Sequence, residues 1–197
     1  MSDQLADLQR IGLKLHCADG VAVRPHALIP VWHRWIQQRA VDEMLIDVAD
    51  YEHVPEGPGV VLVAHEGNYS LDLGDGVMGL MYYRKQPIAG DLAARLASLV
   101  RTVCRAARLL EQDAALDGGL RFRADRFELF ANDRLRAPNV AATYEAFQPL
   151  LDGLLGTLYG DAARCEVARA RDARDRFTIR VSAPTAVTPA QLLTRLG

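Results

Sequence analysis

An α+β fold is what this sequence predicts, with antiparallel sheet and helices packed against it. Three patterns carry the expectation. β-branched and apolar runs of strand length come in pairs parted by turn residues, as in Leu45–Ala49 and Val60–Ala64. Leu92, Leu96, Leu99, Val103 and Leu110 recur at helical spacing. Both ends of the chain read strand, helix, strand, strand.

Taken in order, Ile11–Cys17 alternates apolar and polar residues, which suits a half-buried first strand. Leu28, Trp32, Trp35 and Ile36 then form a buried helical stripe, with Pro30 comfortable only in a first turn, so the regular helix is expected to start at Ile29 or Pro30. His33 and Arg34 lie off that stripe and are free to reach a pocket. Between the next two strands, Val54-Pro55-Glu56-Gly57-Pro58-Gly59 reads as a turn, because proline fixes φ and glycine supplies positive φ. Val60–Ala64 is apolar at every position, as in a strand covered on both faces. Asp75-Gly76, between Tyr69–Leu73 and Val77–Arg84, is a hairpin signal. The stretch Met44–Lys85 is therefore expected to be a three-stranded antiparallel meander.

A helix capped by Asp91 is expected to end near Gln112, with Arg101, Arg105 and Arg108 on another face suited to an anion or to solvent. Leu120–Phe122 and Phe127–Ala131 flank Ala124-Asp125 as a hairpin. A helix from about Val140 to Tyr159 carries Pro149 inside it, where a kink or break is expected. Cys165–Ala170 and Phe177–Ser182 form a last hairpin, and Thr188-Pro189 opens a C-terminal helix.

A single compact domain accounts for 197 residues. Half of them are hydrophobic and 24% charged, the balance of an ordinary globular protein. A net charge of −2 gives no electrostatic footprint for nucleic acid or anionic lipid. No apolar run approaches the ~20 residues that cross a bilayer, and the N-terminal residues lack a secretory pattern. Three widely spaced cysteines suggest neither a disulfide framework nor a zinc ribbon, so a reducing cytoplasm is the expected location.

Candidate chemistry gathers in Met44–Lys85. Histidine near carboxylate and tyrosine supplies either metal ligands or an acid–base pair; His53, His65, Glu66, Tyr69 and Asp72 are the candidate set, with Asp47 or Asp50 a further carboxylate near His65. A hairpin closing on Glu56-Gly57 sets His65 opposite about Val48 and His53 opposite about Val60, about 16 Å apart at the usual rise, too far to share an ion. No metal is assigned, and no motif names a cofactor: P-loop, dinucleotide, nucleophile-elbow and HExxH patterns are all missing. The expected ligand-binding residues are His33, Arg34, Asp50, Tyr51, His53, His65, Glu66 and Tyr69.

The two ends also suggest an internal duplication of a β-α-β-β unit, with pseudo-repeats over 9–73 and 120–183 joined by a strand at 77–85 and a helix at 91–112. Leu15 matches Leu129, Pro30 matches Pro149, Asp47 matches Glu166 and Val60 matches Phe177 at a nearly constant offset. Only the first copy carries the His/Tyr/Glu set, so any chemistry is one-sided, and a cleft between the halves is a natural ligand site.

IPVWHRWIQ (29–37), IDVADYEHVPEGPGVVLVAHEGNYSLD (46–72), GLMYYRK (79–85) and FELFANDRLRAP (127–138) together resemble a family of bacterial proteins of about this length. The resemblance spans nearly the whole chain and brings no activity with it. More distantly, Phe127–Ser182 is similar in pattern to the closing unit of vinyl-reductase-type and haem-NO-binding-type sensor domains, which implies a small hydrophobic or tetrapyrrole ligand; the haem ligand of those sensors has no matching position. The leading expectation is a non-catalytic module that binds a small molecule or a partner. Behind it stand a structural protein that forms a homo-oligomer and an enzyme using His65 and Glu66.

Overall fold

A computed structural model describes residues 5–54 and 57–197. Eight strands form one antiparallel sheet: β1 (Ile11–Cys17), β2 (Leu45–Asp50), β3 (Val60–Ala64), β4 (Gly67–Asp72), β5 (Gly79–Arg84), β6 (Phe122–Ala131), β7 (Glu166–Arg169) and β8 (Phe177–Ser182). Their order is β2-β3-β4-β5-β1-β6-β8-β7. The first strand of the sequence thus lies near the middle, paired with β5 on one side and β6 on the other.

Among the described residues four full helices accompany the sheet: α1 (Leu28–Gln38), α2 (Leu92–Glu111), α3 (Ala141–Tyr159) and α4 (Pro189–Leu196). Their buried stripes share one core with alternate strand residues, among them Leu13, Tyr69, Tyr82, Phe127 and Ile179. All four therefore cover the same face. The intervening residues, Gly12, Lys14 and His16 on β1 or Glu128 and Phe130 on β6, point to the other face, as the period of two requires. That face is nonetheless closed where long side chains lie across glycines of the neighbouring strand: Phe130 over Gly12, Lys14 over Gly79.

Local chemistry explains the ends. The Asp91 carboxylate accepts from the Ala94 amide (2.8 Å) at the start of α2. Thr188 and Gln191 close a capping box on α4, with Pro189 in its first turn. A 3-10 turn at Pro25–Ala27 leads directly into α1, which begins at Leu28, just ahead of the expected start.

Several expectations need correction. The central meander has four strands, because His65-Glu66 is itself a tight turn between β3 and β4. Its first hairpin is shifted: Asp50, not His53, faces Val60, and the His65 amide donates to the Met44 carbonyl (2.9 Å). Pro55 and Glu56, part of the turn expected there, lie outside the described residues. Phe122–Ala131 is one ten-residue strand rather than half of a hairpin. Ala124 and Asp125 are buried within it, and Asp125 binds Arg123 (2.6 Å) while its carbonyl accepts from Ala183, so the pair serves the ladder and not a turn. α3 runs through Pro149 without a break; Glu145, whose carbonyl loses its donor, and Pro149 both lie on the solvent side, where the carbonyl is open to solvent and the missing N–H costs least. The arginine row of α2 is divided among separate tasks. Arg101 donates to the Leu196 carbonyl at the end of α4, and Arg105 pairs with Asp42.

No helix is long and apolar enough to cross a membrane among the described residues. All three cysteines are free.

Candidate functional site

The site is built where the chain leaves α1. Arg39 takes a left-handed conformation (φ 51°) and ends the helix, and the Ala40 amide returns to the Trp35 carbonyl (3.1 Å). Residues 40–44 then run as a strap from α1 to β2. Glu66 pins its far end, accepting from the Met44 amide (2.9 Å), while the neighbouring His65 amide holds the Met44 carbonyl. Two cavities open along the strap. One, of about 370 Å³, is lined by strap residues, by Thr102, Arg105 and Leu109 of α2, and by Tyr69 of β4. The other, of about 570 Å³, lies between Ile36, Arg39, Leu45 and Glu66. Val41, Asp42 and Glu43 belong to both, and both volumes fall in the range that holds small ligands.

Tyr69 is 1% exposed; among the described residues its hydroxyl makes no hydrogen bond of good geometry, and the Glu43 carboxylate is the acceptor that it approaches. Behind it lies Tyr82, ring centroids 4.6 Å apart, whose hydroxyl is equally unpartnered. Burial drives both phenols well above their ordinary pKa; at Tyr69 the Glu43 carboxylate and then Tyr82 reinforce the shift. Both are therefore neutral donors at every physiological pH. Arg84, 5.8 Å from the Tyr82 ring centroid, partly offsets the effect at Tyr82. Gly67 is required here, since a Cβ at that position would stand 2.5 Å from the Tyr82 Oη. An unsatisfied buried hydroxyl costs about 1–3 kcal/mol, and of these two only that of Tyr69 belongs to a residue lining a cavity.

Of the expected site residues, Glu66 and Tyr69 come together at this strap. His65 is exposed and lines neither cavity. Arg34 is committed to an ion pair in which its Nη2 donates to both Asp113 carboxylate oxygens (2.6 and 2.5 Å), and His33 is exposed on α1. Tyr51 and His53 are exposed at the other end of the β2–β3 hairpin from His65, where the Tyr51 amide donates to Gly59. Asp50, also at that end, joins His26 and Glu52, which the sequence reading passed over. Glu43 of the cleft was missed as well, since a strap between helix and strand has no periodicity to reveal it, whereas Arg105 belongs to the arginine row expected to suit an anion or solvent.

A second concentration of charge lies on the sheet face away from the helices. The Lys14 ammonium, 2% exposed as a residue, binds Asp72 (2.5 Å) and the Gly74 carbonyl (2.9 Å). Next to it Glu128, 4% exposed, lies 3.4 Å from both His16 Nε2 and Arg180 Nε. Burial alone would raise the Glu128 pKa, but contact with His16, Arg180 and Lys14 outweighs it and holds the carboxyl below its usual range. These charges compensate one another, which is the signature of a structural network.

No family model matches the chain, and no curated protein is significantly similar to it.

Proposed function

We propose that the chain is a non-catalytic module that binds a small polar molecule in the cleft under the 40–44 strap. The carrying observation is the unpartnered Tyr69 hydroxyl, buried at the wall of a ligand-sized cavity. Retaining a donor there is favourable only if something completes its hydrogen bond. Asp42 is already paired with Arg105 and Glu66 with the strap backbone, which leaves Glu43 as the carboxylate facing that hydroxyl. A small ammonium-bearing compound with a hydrogen-bond acceptor suits this pair. No nucleophile with an attendant base lines either cavity, and His65 stands apart from Glu66's cavity, so the acid–base reading has little to support it.

Thermal shift across a panel of small amines, amino acids and nucleosides tests the proposal. A ligand at about a hundred times its Kd stabilises by about 2.7 kcal/mol, and Tyr69→Phe and Glu43→Gln should each abolish the shift. Turnover of model esters or phosphoesters that disappears in His65→Ala would instead sink the non-catalytic reading.

A structural role is the second reading. Ile46, 55% exposed, lies on β2 and Met44, 59% exposed, just ahead of it; β2 is an edge strand with one free row of backbone groups, the feature that invites pairing with a second copy. A strictly monomeric species at high concentration argues against it.

Duplication remains part of the proposal in altered form. Either side of the β1–β6 pair the sheet continues β5-β4 and β8-β7, each pair followed by a helix, α2 or α4. The matching halves are then β1-α1-β4-β5-α2 and β6-α3-β7-β8-α4, with the β2–β3 hairpin an addition to the first. The strap that forms the cleft leads into that added hairpin, which makes the site one-sided.

A further inference from the structure

His26, Asp50 and Glu52 converge from two separate segments of chain, the 3-10 turn before α1 and the end of β2. His26 Nδ1 lies 3.7 Å from Asp50 Oδ2 and 3.5 Å from Glu52 Oε2, and the three donor atoms all fall within 4.8 Å of one another. In a tetrahedral zinc site, bonds of about 2.0–2.2 Å put neighbouring donors about 3.3–3.6 Å apart. The contacts through His26 are thus within a few tenths of an ångström of coordination distances.

Each carboxylate spends its other oxygen on backbone. Asp50 Oδ1 accepts from the Glu52 amide (2.9 Å), and Glu52 Oε1 accepts from the His26 amide (3.2 Å). Those contacts fix the orientation of both carboxylates and leave Oδ2 and Oε2 turned towards the imidazole, the role that outer partners play in known metal sites. One nitrogen and two carboxylate oxygens, all solvent-accessible, leave room for water or an outside ligand on the ion.

We propose that His26, Asp50 and Glu52 form a surface site for a borderline divalent cation of the zinc or cobalt type. Imidazole in the donor set selects against calcium and magnesium, which take oxygen ligands. Bound metal ties the segment ahead of α1 to the β2–β3 hairpin, at the opposite end of β2 from the strap. The site does not depend on the ligand cleft, and its test is separate.

Calorimetric titration of the tag-free, metal-stripped chain with zinc, and visible absorption with cobalt, decide the matter. Expected is one ion per chain, a tetrahedral cobalt spectrum without a thiolate charge-transfer band, and affinity lowered about tenfold or more in each of His26→Gln, Asp50→Asn and Glu52→Gln. The three side chains are exposed, so the variants should keep the wild-type melting temperature in chelator. His53→Gln and His65→Gln should bind as the wild type does. Absence of saturable binding, a thiolate band, or full binding by His26→Gln overturns the assignment.

Discussion

Phe130 occupies the space that a side chain at Gly12 would need: a Cβ there would lie 2.2 Å from the ring Cζ. The two residues are register partners on β6 and β1, and the Arg176 guanidinium lies 3.7 Å from the same ring's centroid. The ring is 2% exposed on a face that no helix covers, because glycine lets it lie flat on the sheet and arginine stacks on it.

Gly12→Ala should therefore destabilise the protein by about 1–3 kcal/mol, the usual cost of forcing extra atoms into packed space. Urea unfolding reads it as a lowered midpoint at unchanged slope. The double variant Gly12→Ala/Phe130→Leu should recover part of the loss; two fully additive losses would mean that the ring is not what obstructs position 12.

Lys14 obeys the same geometry with a charge added. Its stem covers Gly79, where a Cβ would meet Lys14 Cγ at 2.8 Å, and its ammonium ends at Asp72. Lys14→Ala leaves Asp72, 17% exposed, without its cation, and removal of one member of such a pair costs about 3 kcal/mol. Lys14→Met keeps the stem, and Lys14→Met/Asp72→Asn also removes the stranded charge. The expected order of stability is wild type or the double variant first, then Lys14→Met, then Lys14→Ala; a double variant no better than Lys14→Met would show that the ion pair carries nothing.

Glu128 makes stability depend on pH in a definite direction. Its carboxyl is held below the ordinary range in the folded state, so the unfolded chain, with a glutamate pKa of about 4.3, takes up its proton first as pH falls. The stabilisation is complete above that value and is lost progressively as pH drops from it towards the folded pKa. Urea midpoints measured from neutral to acid pH should show the wild type losing its margin over Glu128→Gln below about pH 4. A margin that grew on acidification would reverse the sign of the argument.

The sheet and helices were legible because their signals are local. Asp91, Thr188 and the periodic leucines of α2 declare helix ends and faces without reference to the rest of the chain. Strand pairing was not. Nothing near Ala124-Asp125 shows that Asp125 will be buried against Arg123 and the 183–187 segment, and nothing near Val60 reveals that β5 will take the place beside β1. The site divides in the same way: Glu66 and Tyr69 stood out by residue type, whereas Glu43 enters only through the course of the strap, and His26 meets Asp50 and Glu52 only once the sheet is assembled.

Tyr69→Phe separates stability from binding at the cleft. Phenylalanine keeps the ring against Tyr82 and removes only the unpartnered hydroxyl, whose burial is unfavourable while no ligand completes it. The ligand-free variant should accordingly be more stable than the wild type, by about 1 kcal/mol, with an unchanged unfolding slope. Residues retained at such a cost are those whose benefit appears on binding, and stabilising changes at functional positions commonly cost function. If the variant proved less stable instead, Tyr69 would have a satisfied partner in Glu43, and the cleft would lose the group that marks it as a binding site.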